Sequence, residues 1–135
     1  MPAGFLDSNV LIYAFTKDDR RWQARALLQT GPAISVQGLN EFANVARRKL
    51  GMSWMDLREA IASIRLFCPT ILPINVATHD EALSVAKRYG YAMYDALIVA
   101  SALQANSETL WSEDMQHGMM IGGRLRIANP FRKEG

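Results

Sequence analysis

The sequence predicts an α/β fold, arranged as a three-layer α/β/α sandwich with a short, mostly parallel sheet. Short apolar segments of strand length alternate with longer segments of helical periodicity along the 135 residues. Serine or asparagine precedes several helical segments, and glycine or proline follows them, as is typical of helix ends. No linker, internal repeat or low-complexity segment interrupts the chain, so we expect a single domain covering residues 1–135.

Five segments are predicted to be strands, because they are short and apolar and lie between turn or helix-start residues. The first ends in an acidic residue, and the fourth leads directly into two acids. In chain order the predicted strands are Gly4–Asp7, Ala33–Ser35, Ile71–Ile74, Thr109–Ser112 and Leu125–Ala128.

Six segments are predicted to be helices, with Ser35 and Ser53 as N-caps of the third and fourth and Gly90 as the stop of the fifth. In chain order they are Ser8–Phe15, Asp19–Leu28, Val36–Leu50, Trp54–Phe67, Thr78–Tyr89 and Tyr94–Gln104. The last is nearly all apolar, which predicts a buried helix at the centre of the domain. The predicted inward-facing residues of the second to fifth helices are Trp22, Ala26 and Leu27 or Leu28; Leu39, Phe42, Val45 and Ala46; Leu57, Ile61, Ile64 and Leu66; and Ala82, Leu83, Val85 and Ala86.

The composition excludes several classes of protein. Half of the residues are hydrophobic and 21% are charged, which is unlike a disordered chain. No apolar run reaches the roughly 18 residues of a membrane span, and the N-terminus lacks the basic and apolar regions of a signal peptide. The single cysteine, Cys68, excludes an internal disulfide and is predicted to be a buried apolar side chain. We therefore expect a cytoplasmic protein without a membrane partner.

Four acidic residues are predicted to converge on the carboxyl edge of the sheet, where ligands bind in open parallel α/β folds. Asp7 ends the first strand and Asp114 follows the fourth. Asp95 lies in the first turn of the apolar helix, and Glu41 lies in the second turn of the helix after the second strand. Singly, each has a structural interpretation, such as a helix cap, a partner of the helix dipole, a turn residue or a solvated side chain. Together they would repel one another unless a cation neutralised them.

Carboxylates without histidine or cysteine are typical ligands of Mg²⁺ or Mn²⁺. His79 and His117 have no metal-ligand spacing around them, which argues against zinc. A hard cation can polarise a phosphoryl oxygen and lower the pKa of a bound water, so the pattern favours phosphodiester hydrolysis.

At these residues the chain resembles the PIN-domain ribonucleases, in particular the VapC-like toxins of bacterial type II toxin–antitoxin modules. Four motifs and the ending Arg126–Phe131 carry the resemblance, which covers nearly the whole chain. The motifs are FLDSNVLIY at Phe5–Tyr13, LNEF at Leu39–Phe42, YDALIVASA at Tyr94–Ala102 and LWSEDMQHG at Leu110–Gly118.

The resemblance implies a PIN-like fold and a role for each matching residue. It implies that Asp7, Glu41, Asp95 and Asp114 form the catalytic group, with Asp7, Asp95 and Asp114 as ligands of Mg²⁺ or Mn²⁺. Ser8 or Asn9 would support the first acid by hydrogen bonds, and Ser112 would line the site. Glu113 is an alternative to Asp114. If the strand continued through both, their side chains would point to opposite sides, and Asp114 would share the side of Ser112.

The resemblance further implies cleavage of single-stranded RNA by metal-activated water, leaving a 3′-hydroxyl and a 5′-phosphate. It also implies a cognate antitoxin as partner and a homodimer, for which Trp22, Trp54 and three methionines (Met115, Met119 and Met120) are candidate surface residues. Core packing is the preferred interpretation of Trp22. If four acids bind a cation, 15 basic residues face only 9 other acids, a balance of +6 that favours a polyanion. The basic residues form three groups, which could instead be solvated helix faces: Lys17, Arg20, Arg21 and Arg25; Arg47, Arg48 and Lys49; and Arg124, Arg126, Arg132 and Lys133.

Two other functions compete with this one. A haloacid-dehalogenase-like phosphatase also has an aspartate at the end of its first strand, but it needs a second acid two residues later, where this chain has Asn9. A catalytically inactive PIN-like module for RNA binding or protein interaction is the second alternative. Since all four acids are present, the sequence gives no reason to prefer it.

Overall fold

The computed structural model describes residues 4–132, and it confirms the α/β class with a mostly parallel sheet. The strands are β1 Gly4–Leu6, β2 Ile34–Ser35, β3 Ile71–Leu72, β4 Thr109–Trp111, β5 Met120–Ile121 and β6 Leu125–Ala128. The helices are α1 Ser8–Tyr13, α2 Arg21–Leu28, α3 Val36–Arg48, α4 Trp54–Phe67, α5 Val76–Tyr89 and α6 Met93–Gln104.

The strands lie in the order β3-β2-β1-β4-β6-β5. The β2–β3, β1–β4 and β4–β6 pairs are parallel, and only β5 runs antiparallel, beside β6. A single bridge between Phe5 and Ala33 joins β1 to the β2–β3 pair, and the Leu6 N–H donates to the Ala33 carbonyl at 3.0 Å. The sequence did not predict β5, which has two residues and is joined to β6 by the turn at Gly122 and Gly123. The carboxyl ends of β1, β4 and β6 share one edge.

Two hydrophobic cores pack on opposite sides of the sheet. Phe5 belongs to the core shared with α5 and α6, whereas the next residue, Leu6, belongs to the core shared with α1 to α4. Seven residues of α6 are buried, so the predicted central position of this helix is confirmed. Cys68 is also buried, as predicted, and burial raises the pKa of its thiol to about 12.

Capping residues set the helix starts. Ser35 and Ser53 accept hydrogen bonds at 3.0 Å from the N–H groups of Gly38 and Asp56, so both predicted caps are confirmed. Helix α5 begins two residues before the predicted start at Thr78, because the Asn75 side chain accepts the Thr78 N–H and caps the helix. Gly90 ends α5 in the left-handed conformation, with φ of 75°.

Most of the residues predicted to face inward are buried or partly buried, but four of them are exposed. Trp22 is 59% exposed and Leu66 is 84% exposed, and Ala26 and Leu83 are exposed as well. Two residues along a helix correspond to about 200° of rotation, so Trp22 and Ala26 lie opposite the buried Ala24. Leu66 lies opposite Ile64 for the same reason.

None of the helices between Gly4 and Arg132 has the length and apolar character needed to cross a bilayer.

Candidate active site

Asp7 lies at the carboxyl end of β1, where it caps α1 rather than extending the strand as predicted. Its Oδ1 accepts the Ser8 N–H at 2.7 Å, and its Oδ2 accepts the Ser112 hydroxyl at 2.8 Å. Its own N–H donates to the Trp111 carbonyl at 3.0 Å, which fixes it against the end of β4. The residue is only 4% exposed.

The environment of Asp7 disfavours its charged form. Burial raises the pKa of Asp7 from 3.8 to about 6, although the hydrogen bonds from Ser112 and Ser8 lower it. The neighbouring carboxylates of Glu41 and Asp114 raise this pKa further. Asp7 is therefore a buried acid whose negative charge its neighbours do not compensate.

Glu41 accepts hydrogen bonds from two helices, α1 and its own helix α3. The Ser8 hydroxyl of α1 donates to its Oε2 at 2.5 Å, and the Gln37 amide, one turn earlier on α3, donates to its Oε1 at 2.8 Å. Both carboxylate oxygens are therefore oriented by fixed donors. Gln37 was not predicted to belong to the site, although its spacing of four residues from Glu41 places the two side chains on one side of α3.

Asp114 lies in the loop after β4 and is exposed. The Asn9 amide of α1 donates to its Oδ2 at 2.9 Å, and its own N–H donates to the Ser112 hydroxyl at 3.3 Å. Of the two residues predicted to support Asp7 by hydrogen bonds, Ser8 does so, through its backbone N–H. The side chains of Ser8 and Asn9 bond Glu41 and Asp114 instead.

Asp95 lies in the first turn of α6, as predicted, and is partly buried. Burial raises the pKa of this carboxyl, and the carboxylates of Asp114 and Glu41 raise it further. The four predicted acids therefore share one electrostatic neighbourhood, in which Asp7 and Asp95 each experience the charges of Glu41 and Asp114.

The chemistry of this group suits a hard cation, since it consists of carboxylates and two of them are destabilised in their charged form. In the described range 4–132, however, no three acidic, histidine or cysteine side chains are close enough to hold one ion as they stand. The carboxylates of Glu41 and Asp114 are instead hydrogen-bonded to donors on α1 and α3. Ion binding would therefore require a rearrangement of side chains in this group.

Glu113 makes different contacts from its neighbour Asp114. Its Oε1 accepts the Tyr13 hydroxyl at 2.8 Å, and its Oε2 lies 3.0 Å from Nη1 of Arg20. The strand does not continue through Ser112–Asp114, because β4 ends at Trp111, so the condition under which strand alternation would favour Asp114 is not met. Their different partners, rather than strand alternation, separate the two acids. Neither partner of Glu113 was predicted as such from the sequence, where Tyr13 belongs to the first motif and Arg20 to a basic group.

Several of the basic residues donate hydrogen bonds to backbone carbonyls of the same domain. Arg21 donates to the Lys17 carbonyl, Arg25 to the Ala14 carbonyl and Arg124 to the Leu103 carbonyl. Lys133 lies outside the described residues.

The candidate partner residues differ in exposure. Trp54 and Met120 are exposed, but Met115 is buried, so its predicted place on a partner surface is wrong. The predicted burial of Trp22 is wrong, and its exposed side chain is available to a partner. His117 accepts the Asn129 N–H at its Nδ1 and so contributes to a turn.

Solved structures with the same fold include several toxins. A toxin–antitoxin complex from Klebsiella pneumoniae matches with a TM-score of 0.74 and 19% identity, over 96% of this chain and 99% of that one. VapC20 of Mycobacterium tuberculosis, a sarcin–ricin loop cleaving toxin, matches with a TM-score of 0.64 and 17% identity, over 82% and 89%. VapBC2 of Rickettsia felis, bound to a DNA fragment from its promoter, matches with a TM-score of 0.65 and 21% identity, over 93% and 97%.

No curated protein sequence matches the chain significantly. A family model does match, over residues 4–117, which include all four acids and Ser112. This range covers most of the chain, and the chain therefore belongs to the PIN domain family.

Proposed function

We propose that this protein is a metal-dependent endoribonuclease that hydrolyses phosphodiester bonds of single-stranded RNA. The observation that carries the proposal is the buried Asp7 carboxylate, whose pKa is raised to about 6 and which has Glu41 and Asp114 as charged neighbours. The charged form of such a group is destabilised, and a bound cation would offset that penalty. Membership of the PIN domain family supports a nuclease.

Asp7, Asp95 and Asp114 would hold Mg²⁺ or Mn²⁺, and Glu41 would complete the catalytic group. A divalent cation bound there supplies polarisation of a phosphoryl oxygen and a lowered pKa of water. Hydrogen bonds from the Ser112 hydroxyl and the Ser8 N–H fix the Asp7 carboxylate, so its oxygens would already be oriented when an ion binds.

Glu41 and Asp114 lie on different sides of the group in the proposed mechanism. Ser8 and Gln37 hold Glu41 on one side of the group, where it would orient the attacking water. Asn9 holds Asp114 on the exposed side, where RNA would approach. Rotation of the Asp114 side chain toward Asp7 is the rearrangement that the proposal requires.

We further propose that the protein is the toxin of a toxin–antitoxin pair, acting in the cytoplasm and forming a homodimer. The similar structures of toxin–antitoxin complexes support a cognate antitoxin as partner. Exposed apolar side chains, Trp54, Leu66 and Phe67 among them, are consistent with contact with another protein. Single-stranded RNA remains the proposed substrate class.

Cleavage of a single-stranded RNA by the purified protein in Mn²⁺, Mg²⁺ or a chelator tests the proposal. We expect cleavage by the wild type with metal, and at least about a hundredfold slower cleavage by Asp7→Ala and Asp95→Ala, since each removes a proposed ligand. Asp80→Asn, on the exposed side of α5, is the matched control and should cleave normally. RNA binding without cleavage would instead favour an inactive PIN-like binding or interaction module, and unchanged cleavage by both alanine variants would refute the site.

A further inference from the structure

A second polar cluster lies beside the four acids and joins three segments of the chain. The Tyr13 hydroxyl, at the end of α1, donates to Glu113 in the loop after β4 at 2.8 Å. Arg20, just before α2, donates through Nη1 to the Tyr13 oxygen and to Oε2 of Glu113. Its Nε donates to Oδ1 of Asp18 at 3.0 Å.

Arg20 is fixed in direction by this cluster. Its guanidinium lies 4.5 Å from the centroid of the Tyr13 ring, and the ring of Phe131 packs edge-on against Tyr13 at 5.1 Å. Asp18 accepts both the side-chain and the backbone N–H of Arg20. The guanidinium therefore presents Nη1 to both carboxylate oxygens of Glu113 in a defined direction and is not a free surface charge.

The same helix contacts the two neighbouring acids of the loop. Asn9 and Tyr13 are four residues apart and so lie on one side of α1. Asn9 donates to Asp114 at 2.9 Å, while Tyr13 donates to Glu113 at 2.8 Å. The loop is therefore anchored at two successive residues, and movement of Glu113 must also move Asp114.

We propose that Tyr13 and Arg20 are positioning residues, which anchor Glu113 and thereby hold the loop that carries Asp114 beside the other acids. This inference rests on the proposed function and deepens it. Arg20 also offsets the charge of Glu113, which would otherwise add to the negative charge of the group. Neither residue needs to contact RNA or the reacting atoms.

Mn²⁺ binding measured calorimetrically without RNA tests the anchor. We expect about tenfold weaker binding for Arg20→Met, the usual effect of losing a residue that supports a ligand. Glu113→Ala, which loses the hydrogen bonds from both Tyr13 and Arg20, should weaken binding at least as much, and adding Arg20→Met to it should cause no further loss, because the acid partner of Arg20 is already absent. Arg20→Lys, which keeps the charge, should recover part of the loss. Arg88→Met is the matched control, since Arg88 also stacks on a tyrosine, Tyr89, but forms no ion pair with an acid within residues 4–132.

The side-chain amide resonances of Asn9 provide a second measurement that needs no metal. Arg20→Met should shift them, because Asp114 moves away from Asn9, and Arg88→Met should not. Unchanged Asn9 resonances together with unchanged Mn²⁺ affinity in Arg20→Met would overturn the inference. Weaker RNA binding with both readouts unchanged would overturn it too, and would make Arg20 an RNA contact. If the wild type binds no Mn²⁺, the proposed function fails, and the Asn9 resonances still decide whether the anchor exists.

Discussion

Replacement of Asp7 by asparagine should stabilise the metal-free protein at neutral and alkaline pH. Asparagine has nearly the same shape, is an equally good N-cap for α1, and can still pair with Ser112. It removes a negative charge that is 4% exposed and has Glu41 and Asp114 as neighbours. The substitution therefore relieves an electrostatic penalty while the packing stays almost the same.

The size of this effect follows from the pKa of Asp7. Because the pKa is raised on folding, the stability contributed by Asp7 is fully present below 3.8 and is lost as the pH rises through about 6. The full difference between these pKa values corresponds to about 3 kcal/mol of unfolding free energy. About half of it should develop between pH 5 and pH 8.

Urea denaturation of both proteins in a chelating buffer, at several values between pH 5 and pH 8, measures this difference directly. We expect Asp7→Asn to gain stability over the wild type by about 1.5 kcal/mol across this interval. Saturating Mg²⁺ should stabilise the wild type, because ion binding favours the folded state. It should not stabilise Asp7→Asn, because that variant lacks a proposed ligand. A variant whose stability relative to the wild type is independent of pH would refute the claim that Asp7 is an uncompensated buried charge.

Three further substitutions test the site and the fold. Ser112→Ala removes a hydrogen bond that lowers the pKa of Asp7, so an NMR titration of the metal-free variant should give a pKa above about 6, and an unchanged or lower value would contradict this. Phe42→Ala, in the core on the α1–α4 side, should cost about 3–5 kcal/mol in urea denaturation, and a loss below 1 kcal/mol, roughly that of a surface change, would contradict the assigned burial. Trp22→Ala should cost less than about 1 kcal/mol in the same assay because Trp22 is 59% exposed, whereas a core-sized loss would restore the original prediction from sequence.

Much of the fold could be predicted because its signals are local. Ser35 and Ser53 cap their helices through side-chain bonds to residues three positions later, and such spacing can be read directly from sequence. The apolar character of α6 likewise predicted its burial. Asp7 and Asp95 could be placed because strand ends and helix starts share one edge of a parallel sheet.

The remaining features depend on distant or marginal interactions. The pairing of Asn9 with Asp114 joins residues 105 positions apart, and the pairing of Arg20 with Glu113 joins residues 93 apart, so neither has a local signal. The inward face of α2 was predicted wrongly because the helix has only eight residues. The large hydrophobic side chain of Trp22 favoured the side of the helix opposite the small Ala24, which is the residue that is buried. Strand β5 has only two residues, too few for a period to appear.

A crystal of the protein soaked in Mn²⁺ and measured by anomalous diffraction tests most directly whether the acids form a metal centre. The proposed function predicts an anomalous peak in contact with Asp7 and Asp95, with Asp114 rotated toward it, and no such peak in a crystal of Asp95→Asn. A peak only at other acids, such as the exposed Asp19, or no peak beside Asp7 at saturating Mn²⁺, would contradict it.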